Sequence, residues 1–392
     1  MRIAINGMFW AEPAVGTGQY LHNLVSALAQ NPGDHRFVLI VPRYTQAGRP
    51  QIRGWQIVTM PTPFDRRNRN LAKLWFEQVA FGQVCRKLRV DLMHVPYFAA
   101  PLRSPAPVVV TIHDLIPLIL PAYRGNRSVQ AYMRLAAAGA KRARAVIAVS
   151  DHTRRDIVEH LGVPDERITV THEAASPEYG PRDAATIAEV RNRLHLHRPY
   201  VYYISGFDVR KNVEMVVRAF AEATRALPDR PQLAIGGRLR SGDGVLFPDI
   251  NAVILETGIA ADVAFLGPVS AADNAALMSG CAAFLFPSRY EGFGIPPLEA
   301  MQSGAPVIAS NTTSVGEVVG DGGIQVDPDD LAGWSAALHR VLSDEALAAD
   351  LRRRGIERAR QFSWAKTAAE TLAVYNQAVA RHQRAVSSRL QV

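Results

Sequence analysis

Cysteine is scarce: two in 392 residues, Cys85 and Cys281, far apart in the chain. That excludes a disulfide framework and the short-spaced thiol pairs of metal sites, and it predicts reduced structural thiols as in cytosolic proteins. There is also no run of about 18 consecutive apolar residues, so no membrane-spanning helix is expected. The opening Met1-Arg-Ile-Ala-Ile-Asn-Gly reads as a strand and a turn, without the apolar core and cleavage site of a signal peptide. No sequence repeat or low-complexity tract is visible. No His/Cys/Asp cluster has zinc spacing and no Asp-x-Asp pair suggests bound magnesium or manganese, so neither metal nor bound cofactor is expected.

The composition is that of an ordinary globular chain, 48% apolar. Its length exceeds a single core, since cores stop growing at about 250–300 residues; two domains are predicted. The net charge of +8 is uneven: residues 1–185 carry 23 Lys/Arg against 14 Asp/Glu, and residues 186–392 carry 21 against 22. The excess is densest in Arg66-Arg-Asn-Arg69, Arg86-Lys-Leu-Arg89 and Lys141-Arg-Ala-Arg144. Such a surface suits anionic headgroups or phosphorylated acceptors, and equally a solvated face. Nucleic acid is not an expected partner, because no binding motif or aromatic stacking pattern accompanies the charge. The expectation is a cytoplasmic protein whose first half allows peripheral attachment to an anionic membrane.

Short apolar strands alternate with helical periodicity along the chain. Strands are expected at Arg2–Ile5, Phe37–Val41, Gln56–Met60, Leu92–Val95, Val108–Ile112 and Ala145–Val149, and helices at Gln19–Gln30, Leu71–Leu88, Val129–Arg144 and Asp151–Leu161. A polar stretch around 178–198 reads as linker and entering helix. A second series follows, with strands at Tyr200–Ser205, Gln232–Gly236, Val263–Leu266, Ala282–Phe286 and Pro306–Ala309. This is the pattern of two doubly wound α/β domains with parallel sheets. Gly16-Thr17-Gly18-Gln-Tyr-Leu21 begins like a dinucleotide fingerprint, but Leu21 stands where the third glycine belongs and the segment lies about ten residues from its strand. A dehydrogenase is therefore disfavoured, although the glycines still open a helix whose amides can meet a ligand.

Two segments carry the chemistry. Glu291-Gly-Phe-Gly-Ile-Pro-Pro-Leu-Glu299 places two carboxylates around a strand–glycine loop–helix unit. Gly292 and Gly294 permit close backbone approach, and Pro296 and Pro297 suit a helix start. That helix is expected over Pro297–Gln302, ending at Gly304. Glu291 is then expected in the loop, free to meet a polar ligand, and Glu299 in the first helical turn beside anion-attracting amides. The second segment is Arg210-Lys211-Asn212, after a strand and before a periodic helix that Asn212 should cap. Two cations at a helix N-terminus oppose its dipole, and an anion bound between them reverses that cost, which favours a diphosphate. His113, at a strand end, is expected to be mostly neutral at pH 7. His94 is a second histidine without an assigned role.

Arg289-Tyr-Glu-Gly-Phe-Gly-Ile-Pro-Pro-Leu-Glu-Ala-Met followed by Gly304-Ala-Pro-Val-Ile-Ala-Ser resembles the signature of retaining glycosyltransferases of the GT-B fold, family four. Gly16-Thr-Gly-Gln-Tyr, Thr111-Ile-His-Asp-Leu, Val149-Ser, Arg210-Lys-Asn, Phe265-Leu-Gly, Val326-Asp-Pro and Phe362-Ser-Trp extend the likeness over nearly the whole chain. The resemblance implies two Rossmann-like domains facing across a cleft. Residues 1–180, rejoined by a terminal helix of about 365–392, would bind the acceptor, and residues 190–364 the nucleotide-sugar donor. Arg210 and Lys211 would neutralise the leaving diphosphate without a metal. Family members commonly supply the first cation directly after the preceding glycine, where this chain has Phe207, so Arg210 would act in its place. Glu291 and the segment Gly292, Phe293, Gly294, Ile295 and Leu298 would orient the hexose, and Glu299 the ribose. Gly16, Thr17 and Gly18 would lie beside the phosphates and acceptor, and His113 against the transferred sugar. Thr171-His-Glu-Ala-Ala departs from the Asn-Gly turn common at that point.

The resemblance further implies retention at the anomeric carbon. A covalent route needs a carboxylate nucleophile, for which Glu291 is the obvious candidate. The family, however, places it near distal hydroxyls, which favours front-face displacement. Arg-Lys-Asn with Glu-Gly-Phe-Gly-Ile-Pro is similar to bacterial mannosyltransferases acting on polysaccharide or lipid-linked glycans. GDP-mannose is the favoured donor, with UDP-hexoses close behind. A nucleotide-sugar epimerase, an inverting transferase and a catalytically silent sugar-nucleotide sensor stay open as alternatives.

Overall fold

The computed structural model describes residues 1–13, 15–45, 51–239 and 244–390. The chain divides into two compact units, Met1–Glu173 with Trp364–Val392, and Ala174–Ser363. Residues 391 and 392 of the expected terminal helix lie outside the described residues, and the helix itself spans Trp364–Leu390. Residues 174–180, expected with the first domain, pack with the second. The Gln302 amide donates to the Ser176 carbonyl at 3.1 Å and to the Tyr179 carbonyl at 2.8 Å, which ties this segment to the second unit.

The first unit is built on seven parallel strands: β1 (Arg2–Asn6), β2 (Arg36–Pro42), β3 (Gln56–Met60), β4 (Leu92–Val95), β5 (Val108–Ile112), β6 (Ala145–Ala148) and β7 (Ile168–Val170). Their order is β3-β2-β1-β4-β5-β6-β7, with Ile3 opposite Phe37 on one side and Leu92 on the other. Every residue of β5, Val-Val-Val-Thr-Ile, is buried, as a strand covered on both faces requires. The helix expected over Leu71–Leu88 is three pieces: Arg69–Trp75, a π-turn at Phe76–Ala80 and Phe81–Leu88. A second π-turn, Ile157–Leu161, ends the helix begun at Asp151. Both were invisible to a 3.6-residue pattern, because one inserted residue preserves apolar content while rotating the following face.

The second unit carries six parallel strands: β8 (Tyr200–Ile204), β9 (Gln232–Gly236), β10 (Val263–Gly267), β11 (Ala283–Phe286), β12 (Val307–Ser310) and β13 (Ile324–Val326). The order β10-β9-β8-β11-β12-β13 reverses direction between β8 and β11. Ligands of doubly wound sheets bind outside the carboxyl ends of the strands at such a reversal. The short edge strands β7 and β13, three residues each, were not expected; three residues are too few to show a period. Trp334 is fully buried in this core and satisfies its indole N–H on the Asp327 carbonyl at 2.8 Å.

Cys85 and Cys281 are buried free thiols, and burial pushes each up to about 12, so neither is a nucleophile at neutral pH. No helix among the described residues is long and apolar enough to cross a membrane.

The helix expected from Gln19 starts at Gly16 and runs to Gln30, making Gly16, Thr17 and Gly18 its first turn. A Cβ on Gly18 would overlap the Glu12 carbonyl, whereas one on Gly16 would meet nothing within 4 Å. Gly18→Ala should therefore destabilise the fold by about 1–3 kcal/mol, a typical cost of overpacking, and Gly16→Ala by less than about 0.5 kcal/mol. Thermal unfolding of the two variants checks this contrast.

Candidate active site

The second unit brings Arg210, Lys211 and Glu291 together. Strands β8 and β11 are neighbours, with Ala283 opposite Val201 and Phe284 opposite Tyr202, so the loops leaving their carboxyl ends meet. After β8 the chain makes a 3-10 turn at Val209–Lys211, then enters the helix Val213–Ala223. After β11 it runs through Ser288 to Glu291. Backbone bonds lock the loops: the Arg289 N–H donates to the Arg210 carbonyl at 2.8 Å, and the Arg289 guanidinium donates to the Val209 carbonyl at 3.1 Å.

Glu291 is not free, as expected from the sequence, but the centre of a buried ion cluster. Its Oε1 accepts from Lys211 Nζ at 2.6 Å and Ser288 Oγ at 2.6 Å, and its Oε2 accepts from Arg210 at 2.8 Å. The three charged side chains are 12–13% exposed. Arg210 also donates to the Tyr290 carbonyl at 2.8 Å and lies 3.4 Å from Asp208. Burial alone would raise the Glu291 carboxyl, but Lys211 and Arg210 overcome it and hold the group below the ordinary carboxylate range. For Lys211, burial outweighs the attraction of Glu291 and, with Arg210 beside it, draws the ammonium below the ordinary lysine value. Its Nζ also lies 5.4 Å over the Phe286 ring. The loop after β12 fixes the acid's backbone: Thr313 Oγ1 accepts from its N–H at 3.2 Å and Ser314 Oγ donates to its carbonyl at 2.8 Å.

Phe207, where the resemblance led one to look for a cation, is buried at 2% and packed in the core. The cations of this loop are Arg210 and Lys211. Asn212 does not cap its helix through its side chain. It sits in the left-handed region at φ 55°, and its amide donates to the Pro328 carbonyl at 2.7 Å. The nearby Asp327-Pro-Asp329 stretch is spent on local structure, with Asp329 paired to Arg289 at 2.7 Å and Asp327 accepting from the Asp329 N–H at 2.9 Å.

The helix expected from Pro297 begins at Ile295, after Gly294 at φ 106°, and ends at Gln302. That left-handed value is one a glycine holds without strain. Glu299 therefore falls in the second turn rather than beside the first amides, of which Pro296 and Pro297 remove two. Glu299 is 6% exposed, and burial raises its carboxyl to about 8, with the neighbouring Tyr179 acting against the rise. Leu298 and Phe293 turn their side chains into the core, Phe293 edge-on to Phe362 at 5.9 Å. Gly292 and Gly294 are buried, whereas Glu291 and Ile295 are partly exposed.

In the first unit, His113 has both ring nitrogens engaged: Nδ1 lies 2.7 Å from Glu173 Oε1 and Nε2 3.0 Å from the Pro96 carbonyl. Two acceptors require two ring protons. Burial opposes the charge, yet the hydrogen bond and charge of Glu173 raise His113 above its ordinary value, so the expected neutral ring is an imidazolium. His94 is the opposite case. It is fully buried between Thr111 Oγ1 at 2.9 Å and the Tyr375 hydroxyl at 2.6 Å, and burial together with the charge of His113 lowers it to about 3. It is a neutral core residue.

Residues 187–362 match Glycosyl transferases group 1, and residues 15–179 match Glycosyltransferase Family 4. The chain belongs to this glycosyltransferase family. O-antigen chain mannosyltransferase B of Escherichia coli is 32% identical over 285 residues, 72% of this chain and 74% of that protein. Serotype-specific mannosyltransferase WbdA of the same species is 28% identical over 268 residues, 67% of this chain but 32% of that protein, so the chain spans about a third of WbdA. In fold, sucrose-phosphate synthase from Thermosynechococcus elongatus has a TM-score of 0.77 at 22% identity, covering 97% of this chain and 100% of its own. Anabaena HepE in complex with UDP and glucose has a TM-score of 0.72 at 20% identity, covering 95% and 99%. The GT-B fold expected for this glycosyltransferase is the fold it has.

Sequence reasoning missed Ser288, Thr313, Ser314 and Glu173. Ser288 stands three residues before Glu291 and carried a local signal. Glu173 lay in the Thr171-His-Glu-Ala-Ala segment, where it gives His113 a carboxylate partner at 2.7 Å. Thr313 and Ser314 follow a different strand, and only the sheet order brings them to Glu291.

The depressed Glu291 carboxyl has a pH signature. A folded-state value below the unfolded one stabilises above the ordinary 4.5 and is lost as pH falls through the folded value. Glu291→Gln removes the carboxylate that pairs Lys211 and Arg210 inside the cluster and should cost about 3 kcal/mol at pH 7. Urea unfolding from pH 7 to pH 3 should show the gap between wild type and variant closing as wild-type Glu291 protonates.

Proposed function

We propose that this glycosyltransferase moves a hexose, with mannose favoured, from a nucleoside-diphosphate sugar to a glycan or lipid-linked acceptor, with retention at the anomeric carbon and without a metal. GDP-mannose is the first donor to test, and UDP-hexoses come next. The observation that carries the reading is the pair of buried cations just before the helix Val213–Ala223, both of which donate to Glu291. A diphosphate arriving there finds two positive groups already desolvated and fixed, which is electrostatic stabilisation set in place before reaction. The similarity to E. coli mannosyltransferases of O-antigen chains supports the sugar and the acceptor class.

In the reaction, the bond from the anomeric carbon to the diphosphate oxygen breaks as Lys211 and Arg210 take up the growing negative charge. The acceptor oxygen bonds to the same face of the oxocarbenium-like carbon, and its proton passes to the departing diphosphate oxygen. Glu291 is a poor nucleophile for a covalent route: its oxygens accept from two cations and Ser288, and its carboxylate is stabilised accordingly. Its role in this reading is to orient the hexose together with the Gly292–Ile295 backbone, while Glu299 accepts from the ribose. Amides of Gly16, Thr17 and Gly18 are proposed for the phosphates and acceptor, and the cationic His113 ring for the transferred sugar.

With GDP-mannose and a lipid-linked glycan acceptor, Lys211→Ala should lower turnover by at least about a thousandfold while the fold melts within a few degrees of wild type. Near-normal turnover removes the leaving-group role. NMR of the wild-type product should show the donor's α configuration kept; a β product contradicts retention.

The basic first unit is proposed to attach this enzyme, working in the cytoplasm, to an anionic membrane face. Flotation with phosphatidylglycerol vesicles should carry the protein at low salt and release it at about 0.5 M salt. No flotation at low salt removes the membrane from the account.

A further inference from the structure

The basic cluster Lys141-Arg-Ala-Arg144 has no part in the reaction above, and parallel strand pairing decides where it lies. Arg144 directly precedes β6 and Arg167 directly precedes β7, and these strands pair through Val146 opposite Ile168. On its other side β6 pairs with β5 through Ala145 opposite Val109, and the Arg144 N–H donates to the Val108 carbonyl at 2.8 Å. The residues leading into three adjacent strands therefore converge at the amino edge of the sheet, with neighbouring strands about 5 Å apart. His113 follows β5 at the opposite, carboxyl edge.

A cleft of about 340 Å³ opens at the amino edge, and every residue lining it belongs to the first unit. Arg142, Arg144 and Arg167 line it beside His382, together with the apolar Pro105 and Val386, the latter 45% exposed. Main-chain carbonyls hold the guanidinium groups in place. Arg142 donates to Leu102 at 3.4 Å, Arg144 to Arg381 at 3.0 Å, and Arg167 to Lys141 at 3.1 Å. Each anchor engages a single terminal nitrogen of a group with five N–H donors, so donors remain on all three. No carboxylate lines the cleft: Asp165 is paired with Arg154 at 2.7 Å, and Glu166 is exposed outside it. Elsewhere on the surface arginines have acid partners, as Arg193 has Asp273 at 2.6 Å and Arg218 has Glu256 at 2.9 Å. Three anchored guanidinium groups without an acid repel one another, and an oxyanion among them reverses that term.

We propose that this cleft is a phosphate-binding site of the first unit, taking the phosphate of a monoester or diester on Arg142, Arg144 and Arg167. Guanidinium forks match phosphate oxygens in pairs, and the cleft has the size of a small-ligand site. The group esterified to the phosphate is glycerol-sized and rests on Pro105 and Val386. Two sources carry this chemistry, a soluble phosphomonoester and the headgroup of an anionic lipid. The site is built from residues that the donor reading does not use, so it stands or falls apart from the sugar and from retention.

The test pairs calorimetric titration of glycerol 3-phosphate with flotation on phosphatidylglycerol and phosphatidylcholine vesicles, both at about 0.15 M salt. The titrations use Lys211→Met as the parent chain, so that the cations of the second unit do not contribute. Glycerol 3-phosphate should bind saturably with a Kd below about 1 mM. Arg142→Gln with Arg144→Gln, which keeps an amide donor for each carbonyl, should weaken that binding, or flotation on phosphatidylglycerol, by at least about tenfold. Arg66→Gln with Arg67→Gln, the same loss of charge elsewhere on the first unit, should change each by less than about twofold. A loss confined to glycerol 3-phosphate identifies a soluble ligand, and a loss of flotation identifies the lipid. If the cleft variant melts more than a few degrees below its parent, Arg142→Gln alone, whose single hydrogen bond is long, should still weaken the affected probe at least about threefold. The site is overturned if neither probe separates the cleft variants from the Arg66 and Arg67 variant. Flotation that all variants keep removes the cleft while leaving the membrane attachment of the first unit in place.

Discussion

One buried carboxylate between two buried cations constrains the rest of the second unit. Arg210, Glu291 and Lys211 leave water on folding, and that desolvation is offset only if each charge stays within hydrogen-bond distance of the others. The sheet order supplies this condition, since the reversal between β8 and β11 makes neighbours of two loops far apart in sequence. Ser288, Thr313 and Ser314 then hold Glu291 from the side chain and the backbone. The cluster sets two cations, Arg210 and Lys211, against two carboxylates, Glu291 and Asp208.

The same physics sorts the first unit's two central histidines into opposite states. His94 and His113 are both enclosed, and burial disfavours the charged ring in each. A carboxylate at 2.7 Å reverses the outcome for His113, while the hydroxyls around His94 do not. The two glutamates of the second unit repeat the lesson. Glu291, beside cations, is held down, and Glu299, beside a tyrosine, is pushed up. Neighbours decide the charge, and residue type alone decides little.

The legible part of this molecule was whatever a short window can hold. The strand Val108–Ile112 was readable because all five residues are apolar or β-branched, and the glycine-rich loop before Glu299 because its special residues are contiguous. Arg210-Lys211 could be singled out for the same reason. The partnership of Arg210 and Lys211 with Glu291 could not, because it joins residues about eighty apart through a sheet order that composition does not encode. The helix start at Ile295 rather than Pro297 moved Glu299 by half a turn. Gly294 in the left-handed region lets the helix begin two residues early, and a proline reading alone points to the later start. The Asn212 cap failed because its side chain found a distant carbonyl, a tertiary contact that outweighs the local preference.

The central claim is that the two buried cations are a diphosphate clamp. It is tested most directly by comparing the affinities of a nucleoside diphosphate and the matching monophosphate in wild type and in Lys211→Met, a variant of similar shape without the charge. The account predicts that wild type favours the diphosphate by at least about tenfold and that the variant loses most of that preference while its monophosphate affinity stays the same. An unchanged preference for the diphosphate in Lys211→Met would contradict it.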